Sequence, residues 1–323
     1  MNKIKLAIIG ATGLVGKTFL HLLEENDDKY EIKLFASEKS NGKIVRLSKK
    51  TYIVHKLDEN SFDNIDYTLF FSSSYVSEQF IPIALSKNVK VIDNSSFFRR
   101  DENVKLVAYG ANDNLISKND RLISNPNCAV IQSIVILNTL KEFEISKISY
   151  NTYQSVSGSG KKGIDDLLRC RKGEMPLFYE TDISFTCIPK IGNIDKNGIS
   201  DEEDKLMFET KKILNDYSIE VLATCVRVPV MFSHGVSVEV TLNKEFSIEE
   251  IIEKLKNNEN IVVCDNIIPT SILSCKTDKI YVGRIRKIND KLMFYCVADN
   301  VRVGAATNAY NILKQMIKLG DSY

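Results

Sequence analysis

Residues 4–23 read IKLAIIGATGLVGKTFLHLL. The opening IKLAII is a near-continuous apolar run of strand length, the mark of a strand buried on both faces. Leu14, Val15, Phe19, Leu22 and Leu23 recur at helical spacing, which predicts a helix around 14–25. Between strand and helix, GATGLVG places Gly10, Gly13 and Gly16. Glycines let the chain turn tightly and bring its backbone close to a phosphate. The helix start adds unpaired N–H groups and a favourable dipole. The spacing is GxxGxxG rather than GxGxxG, so the strand-turn-helix context carries the reading. Gly10, Thr12, Gly13, Leu14, Val15 and Gly16 are the candidate dinucleotide contacts, against the alternative of an ordinary turn between strand and helix.

Further strands are expected at EIKLFAS (31–37), YTLFFS (67–72), VKVIDNS (89–95) and RLIS (121–124), with a helix around 76–87. Strands alternating with helices imply parallel pairing and a Rossmann-type, doubly wound α/β sheet. Beyond residue 126 the pattern changes. EISKISYNTYQSVS (144–157), VLATCVRVPV (221–230), HGVSVEVTL (234–242), KIYVGRIRKI (279–288) and KLMFYCVAD (291–299) alternate partly between apolar and polar. These predict an α+β domain with a mixed or antiparallel sheet, solvated or covered by a partner on one face. VGAATNAYNILKQMIKLG (303–320) reads as one amphipathic helix. The expected organisation is a nucleotide-binding domain over 1–126, rejoined by the final helix at 303–323, and a second domain over 127–302.

Bulk properties narrow the function. A length of 323 residues favours two domains, and 44% apolar residues suffice for a sizeable core. Lys and Arg number 43 against 42 Asp and Glu, which argues against a nucleic-acid footprint or a polybasic membrane patch. No apolar run approaches the length of a membrane span. MNKIKLAIIGATG lacks the longer apolar core and cleavage site of a signal peptide. The seven cysteines are odd in number and contain no CxxC pair, the usage of a reduced, cytoplasmic chain. His21, His55 and His234 are far apart, so no metal site is expected.

Cofactor choice is read at the end of the second strand, FASEKSNG. Ser37, Lys39 and Ser40 suit a 2′-phosphate, whereas Glu38 would suit ribose hydroxyls if it faced them; the balance favours NADP. In NPNCAVIQSIVIL (125–137), Asn127 is a good N-cap, Pro126 helps fix the turn, and Cys128 falls in the first helical turn. There the helix dipole favours the reactive thiolate. Free cysteines are often inert core residues, and Cys170, Cys187, Cys225, Cys264, Cys275 and Cys296 take that default. His234, opening a strand of the second domain, is either a base or a structural histidine. Arg227 lies on a predicted strand, either on a solvated face or as an anion ligand, and Arg99 sits just past a strand end, where substrates dock. Glu202 and Lys205, three apart on a helix in DEEDKL, read locally as a weak surface ion pair.

Taken in order, GATGLVG, VIDNSSFFR, NPNC, TYQSVSGSG, TCVRVPV with its following histidine, YVGRIR and ADNVRVGAATNA resemble the aspartate-semialdehyde dehydrogenase family over nearly the whole chain. The resemblance implies Cys128 as nucleophile, His234 as acid–base residue and Gln154 as the residue that positions the acyl-enzyme. It implies phosphate contacts from Arg99 and Asn127 with Lys205 nearby, Arg227 on the substrate α-carboxylate, and Glu202, or its neighbour Glu203, on the α-amino group. Ser157, Gly158 and Asn300 would touch the nicotinamide cofactor. The implied activity is NADPH-dependent reductive dephosphorylation of L-4-aspartyl phosphate through a cysteine thioester, in lysine (by way of diaminopimelate), threonine and methionine biosynthesis. A homodimer through the second sheet is implied, with pairing of two dimers into a tetramer left open. A nucleotide-binding homologue without this chemistry is the alternative. Three departures stand out: FSSSYVS (71–77) where the family usually has a glycine pair, Gly235 after the histidine where serine is common, and Lys39 where arginine often meets the 2′-phosphate.

Overall fold

The computed structural model describes residues 3–26, 29–47 and 50–320. The chain divides into two compact units, one of residues 1–109, 113–126 and 305–323, the other of 110–112 and 127–304.

In the first unit β1 (Ile4–Ile9) leads through α1 (Leu14–Asn26) to β2 (Tyr30–Ala36). β3 (Ile44–Arg46) and β4 (Thr51–Lys56) follow, then β5 (Tyr67–Phe70), α2 (Ser74–Ser86), β6 (Lys90–Asp93), β7 (Lys105–Leu106) and β8 (Leu122–Ser124). They form one sheet in the order β3-β4-β2-β1-β5-β6-β8-β7, parallel except for the β3–β4 pair. This is the doubly wound sheet the periodicity predicts. The alternation along β1 shows why IKLAII is apolar throughout. Leu6 and Ile8 pack with Phe19, Leu20 and Leu23 of α1 and with Leu313 and Met316 of the C-terminal helix Asn308–Gly320. Ala7 and Ile9 face the other way, toward Ile81 and Ala84 of α2. The strand order reverses between β1 and β5, and Gly10 follows β1 directly, at the switch point where open α/β sheets bind ligands.

The second unit opens with α3 (Cys128–Thr139), buried from Ala129 through Leu137. β9 (Ile145–Gln154), α4 (Gly160–Cys170), α5 (Asp201–Leu214), β10 (Glu220–Arg227), β11 (His234–Leu242), α6 (Ile248–Lys256), β12 (Ile261–Val263), α7 (Ser271–Ser274), β13 (Ile280–Ile288) and β14 (Lys291–Ala298) complete it. The mixed sheet runs β10-β9-β11-β14-β13-β12. β9 pairs parallel with β10 and β12 with β13, while the three central pairs are antiparallel. Val236, Val238 and Val240 of β11 are fully buried, while Ser237, Glu239 and Thr241 between them are only partly covered.

One expected element differs. The helix read over 303–320 begins as a π-helical turn, Arg302–Thr307, before the α-helix at Asn308. Asp299 sets that turn: its Oδ1 accepts the N–H groups of Val301 and Arg302 at 2.9 and 3.0 Å, and its carbonyl accepts Gly304 N–H at 3.1 Å, five residues on. The widened turn is a local backbone choice to which side-chain periodicity is blind.

Candidate active site

In the first unit the glycine turn is sterically closed to larger residues. Gly10 has φ +79, and a Cβ there would lie 2.2 Å from the Phe71 carbonyl oxygen. A Cβ on Gly16 would lie 2.4 Å from the Gly10 oxygen, so the first turn of α1 sits directly on the loop. Thr12 Oγ1 stands 3.5 Å from Ser40 Oγ, which also accepts from Lys43 Nζ at 3.3 Å. Leu14 and Val15 are half-buried. Ser37 precedes the short 3-10 turn Glu38–Ser40, where Lys39 is exposed and Glu38 pairs with Lys56 at 2.5 Å. Arg99, on the 3-10 turn Phe97–Arg100, is buried and donates from Nε to Ser95 O and from Nη2 to Asn94 O, both at 3.0 Å. In FSSSYVS, the segment that departs from the glycine pair, Ser77 Oγ donates to Asp93 Oδ1 at 2.8 Å.

In the second unit Asn127 caps α3. Its Oδ1 accepts Ala129 N–H at 2.8 Å, as an N-cap side chain should, and its Nδ2 donates to Glu202 Oε1 at 2.9 Å. Its own backbone N–H donates to Glu209 Oε2 at 2.6 Å. Gln154 Nε2 donates to the same Glu202 oxygen at 3.1 Å, and Lys205 Nζ lies 3.5 Å from the other. Glu202 is therefore not the member of a weak surface ion pair that its local sequence suggests. It is 7% exposed and collects both amides and a lysine. Burial pushes its carboxyl up; the Lys205 charge, the two amide donors and Arg227 outweigh that and leave it below the usual carboxylate value. Glu203 is spent elsewhere. Its carboxylate accepts Ser200 N–H at 2.7 Å in a capping box and Cys225 N–H at 2.9 Å.

His234 is fully buried at the start of β11. Its Nδ1 accepts the Ser155 backbone N–H at 3.0 Å, and Ser155 Oγ lies at the same distance. Nε2 is buried and has no hydrogen-bond partner among the described residues. Burial, reinforced by the Arg227 charge, holds the ring well below the ordinary histidine pKa. Arg227 is buried rather than solvated, and its Nη1 donates to Ser155 O at 2.7 Å. Gly158 lies against both groups: a Cβ there would stand 2.7 Å from Arg227 Nη1 and 3.1 Å from His234 Nε2. Asn300 Oδ1 accepts from Ser155 Oγ, Ser157 Oγ and Ser233 N–H at 3.2, 2.9 and 3.0 Å. Ser233, immediately before the histidine, has φ +70, a strained conformation that this network maintains. α3 reaches the same place. Gln132, one turn after Cys128, donates from Nε2 to the His234 carbonyl at 3.0 Å.

Sequence reasoning missed three members. Ser155 is the hub, holding His234 and Arg227 through its backbone and hydroxyl. Gly304 abuts the cysteine, since a Cβ there would lie 2.7 Å from Cys128 Cβ. Glu209 anchors the Asn127 backbone. Both Gly304 and Ser155 lie inside quoted motifs, which is the signal that was available. All seven cysteines are free thiols. Cys170, Cys225 and Cys296 are core residues, burial lifting Cys225 to about 12, but Cys264 and Cys275 are half-buried and Cys187 is exposed, contrary to the core default. Among the described residues no cluster of His, Cys, Asp and Glu is arranged to hold a metal, and no helix is long and apolar enough to cross a membrane.

Comparison with known proteins places the chain in a family. Residues 5–119 match the semialdehyde dehydrogenase NAD binding domain and residues 137–303 the semialdehyde dehydrogenase dimerisation domain. Aspartate-semialdehyde dehydrogenase of Aquifex aeolicus is 41% identical over 335 residues, covering 98% of each chain. Aspartate-semialdehyde dehydrogenase 2 of Vibrio cholerae is 38% identical with the same coverage. The crystal structure of the Vibrio cholerae aspartate semialdehyde dehydrogenase II complexed with ASA superposes with a TM-score of 0.94 at 36% identity, covering 100% of both chains. With two matching domain models and full-length relatives at this identity, the chain belongs to the aspartate-semialdehyde dehydrogenase family.

Proposed function

We propose that this chain converts L-4-aspartyl phosphate to L-aspartate 4-semialdehyde and phosphate with NADPH, through a thioester on Cys128, as a step in lysine, threonine and methionine biosynthesis in the cytoplasm. The observation that carries the reading is the connected set Asn127–Glu202–Gln154 and Ser155–His234–Arg227 around the start of α3.

The chemistry follows from the side chains. Arg227 holds the substrate α-carboxylate, for which a guanidinium fork is suited, and Glu202 takes the α-ammonium group with its lowered carboxyl ionised. Asn127, with Lys205, holds the phosphoryl oxygens, a role the family resemblance also assigns to Arg99. Cys128 thiolate attacks the acyl carbon, the carbon–oxygen bond to phosphate breaks, and a thioester remains; splitting one hard displacement into two easier ones is the gain of covalent catalysis. Gln154, tethered by its Nε2 to Glu202, positions the acyl group. The nicotinamide cofactor, when bound, supplies the hydride that reduces the thioester. With Nδ1 occupied by the Ser155 N–H, a neutral His234 keeps its proton on Nε2. Through that N–H it donates a hydrogen bond to the carbonyl oxygen as charge develops there, and as the carbonyl re-forms the carbon–sulfur bond breaks and Cys128 leaves as thiolate.

The residues fit a dinucleotide phosphate. The Gly10–Gly16 turn packs its backbone too closely for side chains at Gly10 and Gly16 and leads straight into the N-terminus of α1, where a pyrophosphate is accommodated. Glu38 is tied to Lys56, while Lys39, Ser37 and Ser40 remain near the second strand end, which supports NADP over NAD. The partly exposed outer face of the second sheet, with Tyr153 and Leu222, supports a homodimer covered by the same face of a second copy. Steady-state assays with NADP and NAD, and with aspartyl and acetylglutamyl semialdehydes, test the reading. Phosphate-dependent oxidation of aspartate semialdehyde with NADP should dominate and should vanish in Cys128→Ala; retained turnover in that variant overturns the mechanism.

A further inference from the structure

We propose that Asp93 is a positioning residue for phosphate recognition, acting through Ser95 on Arg99 without touching substrate. The proposal rests on the reading of Arg99 as a phosphate ligand.

Asp93 is the last residue of β6 and has no exposed surface. Its Oδ1 accepts Ser95 N–H at 2.9 Å and Ser77 Oγ at 2.8 Å, and its Oδ2 accepts Ser95 Oγ at 2.8 Å. A buried carboxylate is costly to keep unless donors surround it, and a turn of this kind has cheaper neutral solutions. The cost is visible. Burial pushes the Asp93 carboxyl above the ordinary value, against the opposing pull of the Ser95 and Ser77 donors and the Arg99 charge.

What the carboxylate secures is the segment that delivers the guanidinium. Ser95 Oγ accepts Phe97 N–H at 3.2 Å, which opens the 3-10 turn Phe97–Arg100. Ser95 O accepts Arg99 Nε, and Asn94 O accepts Arg99 Nη2, each at 3.0 Å. Two nitrogens of one planar fork on two successive carbonyls fix the plane of the guanidinium, and both carbonyls lie within two residues of Asp93. Asn94 is held from the far side as well, its Oδ1 accepting Asn125 Nδ2 at 2.6 Å. Replacing one carboxylate oxygen by an amide leaves one of three donors unmatched, and the error is passed to the orientation of Arg99.

The test is a set of initial rates in the oxidative direction with aspartate semialdehyde, NADP and inorganic phosphate. Asp93→Asn should raise KM for phosphate about tenfold or more, with KM for semialdehyde and NADP within about twofold of the parent. Ser95→Ala, which keeps the backbone donors, should raise the same constant by a smaller factor and carries the test if Asp93→Asn does not fold. Arg99→Lys reports on the underlying reading. If it raises phosphate KM while Asp93→Asn and Ser95→Ala leave it unchanged, the role of Asp93 is overturned and that of Arg99 stands. If Arg99→Lys leaves phosphate KM unchanged, the phosphate assignment itself falls. A uniform loss of kcat in the Asp93 and Ser95 variants, with every KM retained, marks a merely structural carboxylate and also overturns the proposal.

Discussion

The backbone N–H of Ser155 donates to Nδ1 of His234 at 3.0 Å, and this bond decides which ring nitrogen holds the proton. A backbone donor cannot reverse its role, so the neutral ring is protonated on Nε2. Burial first, and Arg227 second, hold the ring well below its ordinary pKa. The unfolded chain takes up a proton near pH 6.5 that the folded chain refuses. Stability contributed by the neutral His234 is therefore full above that value and is lost as pH falls toward the depressed folded pKa. Melting temperatures of parent and His234→Asn at about pH 7.5 and about pH 5.5 should show the parent losing more on acidification. Turnover of the variant should fall about 10²- to 10⁴-fold, the usual worth of a general acid–base group.

Arg227 has a second influence that can be separated from substrate binding. Its charge lowers His234, so Arg227→Gln should move the acid limb of the kcat/KM profile toward the ordinary histidine value. Burial, the larger cause, should keep it from arriving there. Arg227→Lys preserves the charge and should leave the limb in place, yet lose the planar fork. Its kcat/KM for semialdehyde should drop about 10- to 150-fold, as for loss of a charge-assisted hydrogen bond worth about 1.5–3 kcal/mol. An acid limb that shifts equally in both variants would show that the Arg227 charge does not reach the ring.

Gly158 separates a cofactor role from a substrate role. A Cβ at this position would stand 2.7 Å from Arg227 Nη1 and 3.1 Å from His234 Nε2, filling the space between the groups assigned to carboxylate and carbonyl. The obstructed atoms are side-chain ends, so the fold should tolerate Gly158→Ala. We expect KM for semialdehyde to rise about tenfold or more with an unchanged melting temperature. A rise confined to KM for NADP would return Gly158 to the cofactor site alone.

Much of this is legible in the sequence, and the reasons are physical. IKLAII followed by glycines permits few alternatives, because a strand apolar on both sides needs helices on both sides. The alternation of Val236, Val238 and Val240 with Ser237, Glu239 and Thr241 likewise declares a sheet with one inner face. The burial of Glu202 is not legible locally, because four consecutive acidic residues at a helix start look solvated; packing against α3 buries that one. Ser155 is separated by 79 residues from the ring it holds, and no local pattern announces the pairing. Gly304 lies inside a recognisable motif, but the reason for its smallness is not local: it answers to Cys128, far away in sequence.

Gly235 stands where the sequence departs from the serine common after this histidine, and Tyr295 accounts for the departure. A Cβ on Gly235 would lie 1.7 Å from Tyr295 Oη and 2.6 Å from its Cζ, so the phenol occupies the space a side chain would need. The two residues lie on adjacent antiparallel strands, with Gly235 opposite Val297 and Tyr295 one diagonal step away. Gly235→Ser alone should then force the ring aside, lowering stability by about 1–3 kcal/mol, the usual cost of overpacking. It should also disturb the neighbouring His234, so activity should fall with it. Tyr295→Ala alone should cost stability through lost packing. The double variant should be more stable than the sum of the two losses predicts, by at least about 1 kcal/mol, because the serine fills space the tyrosine has vacated. Chemical denaturation of the four proteins closes the cycle, and additive losses would show that the ring and the glycine are not matched.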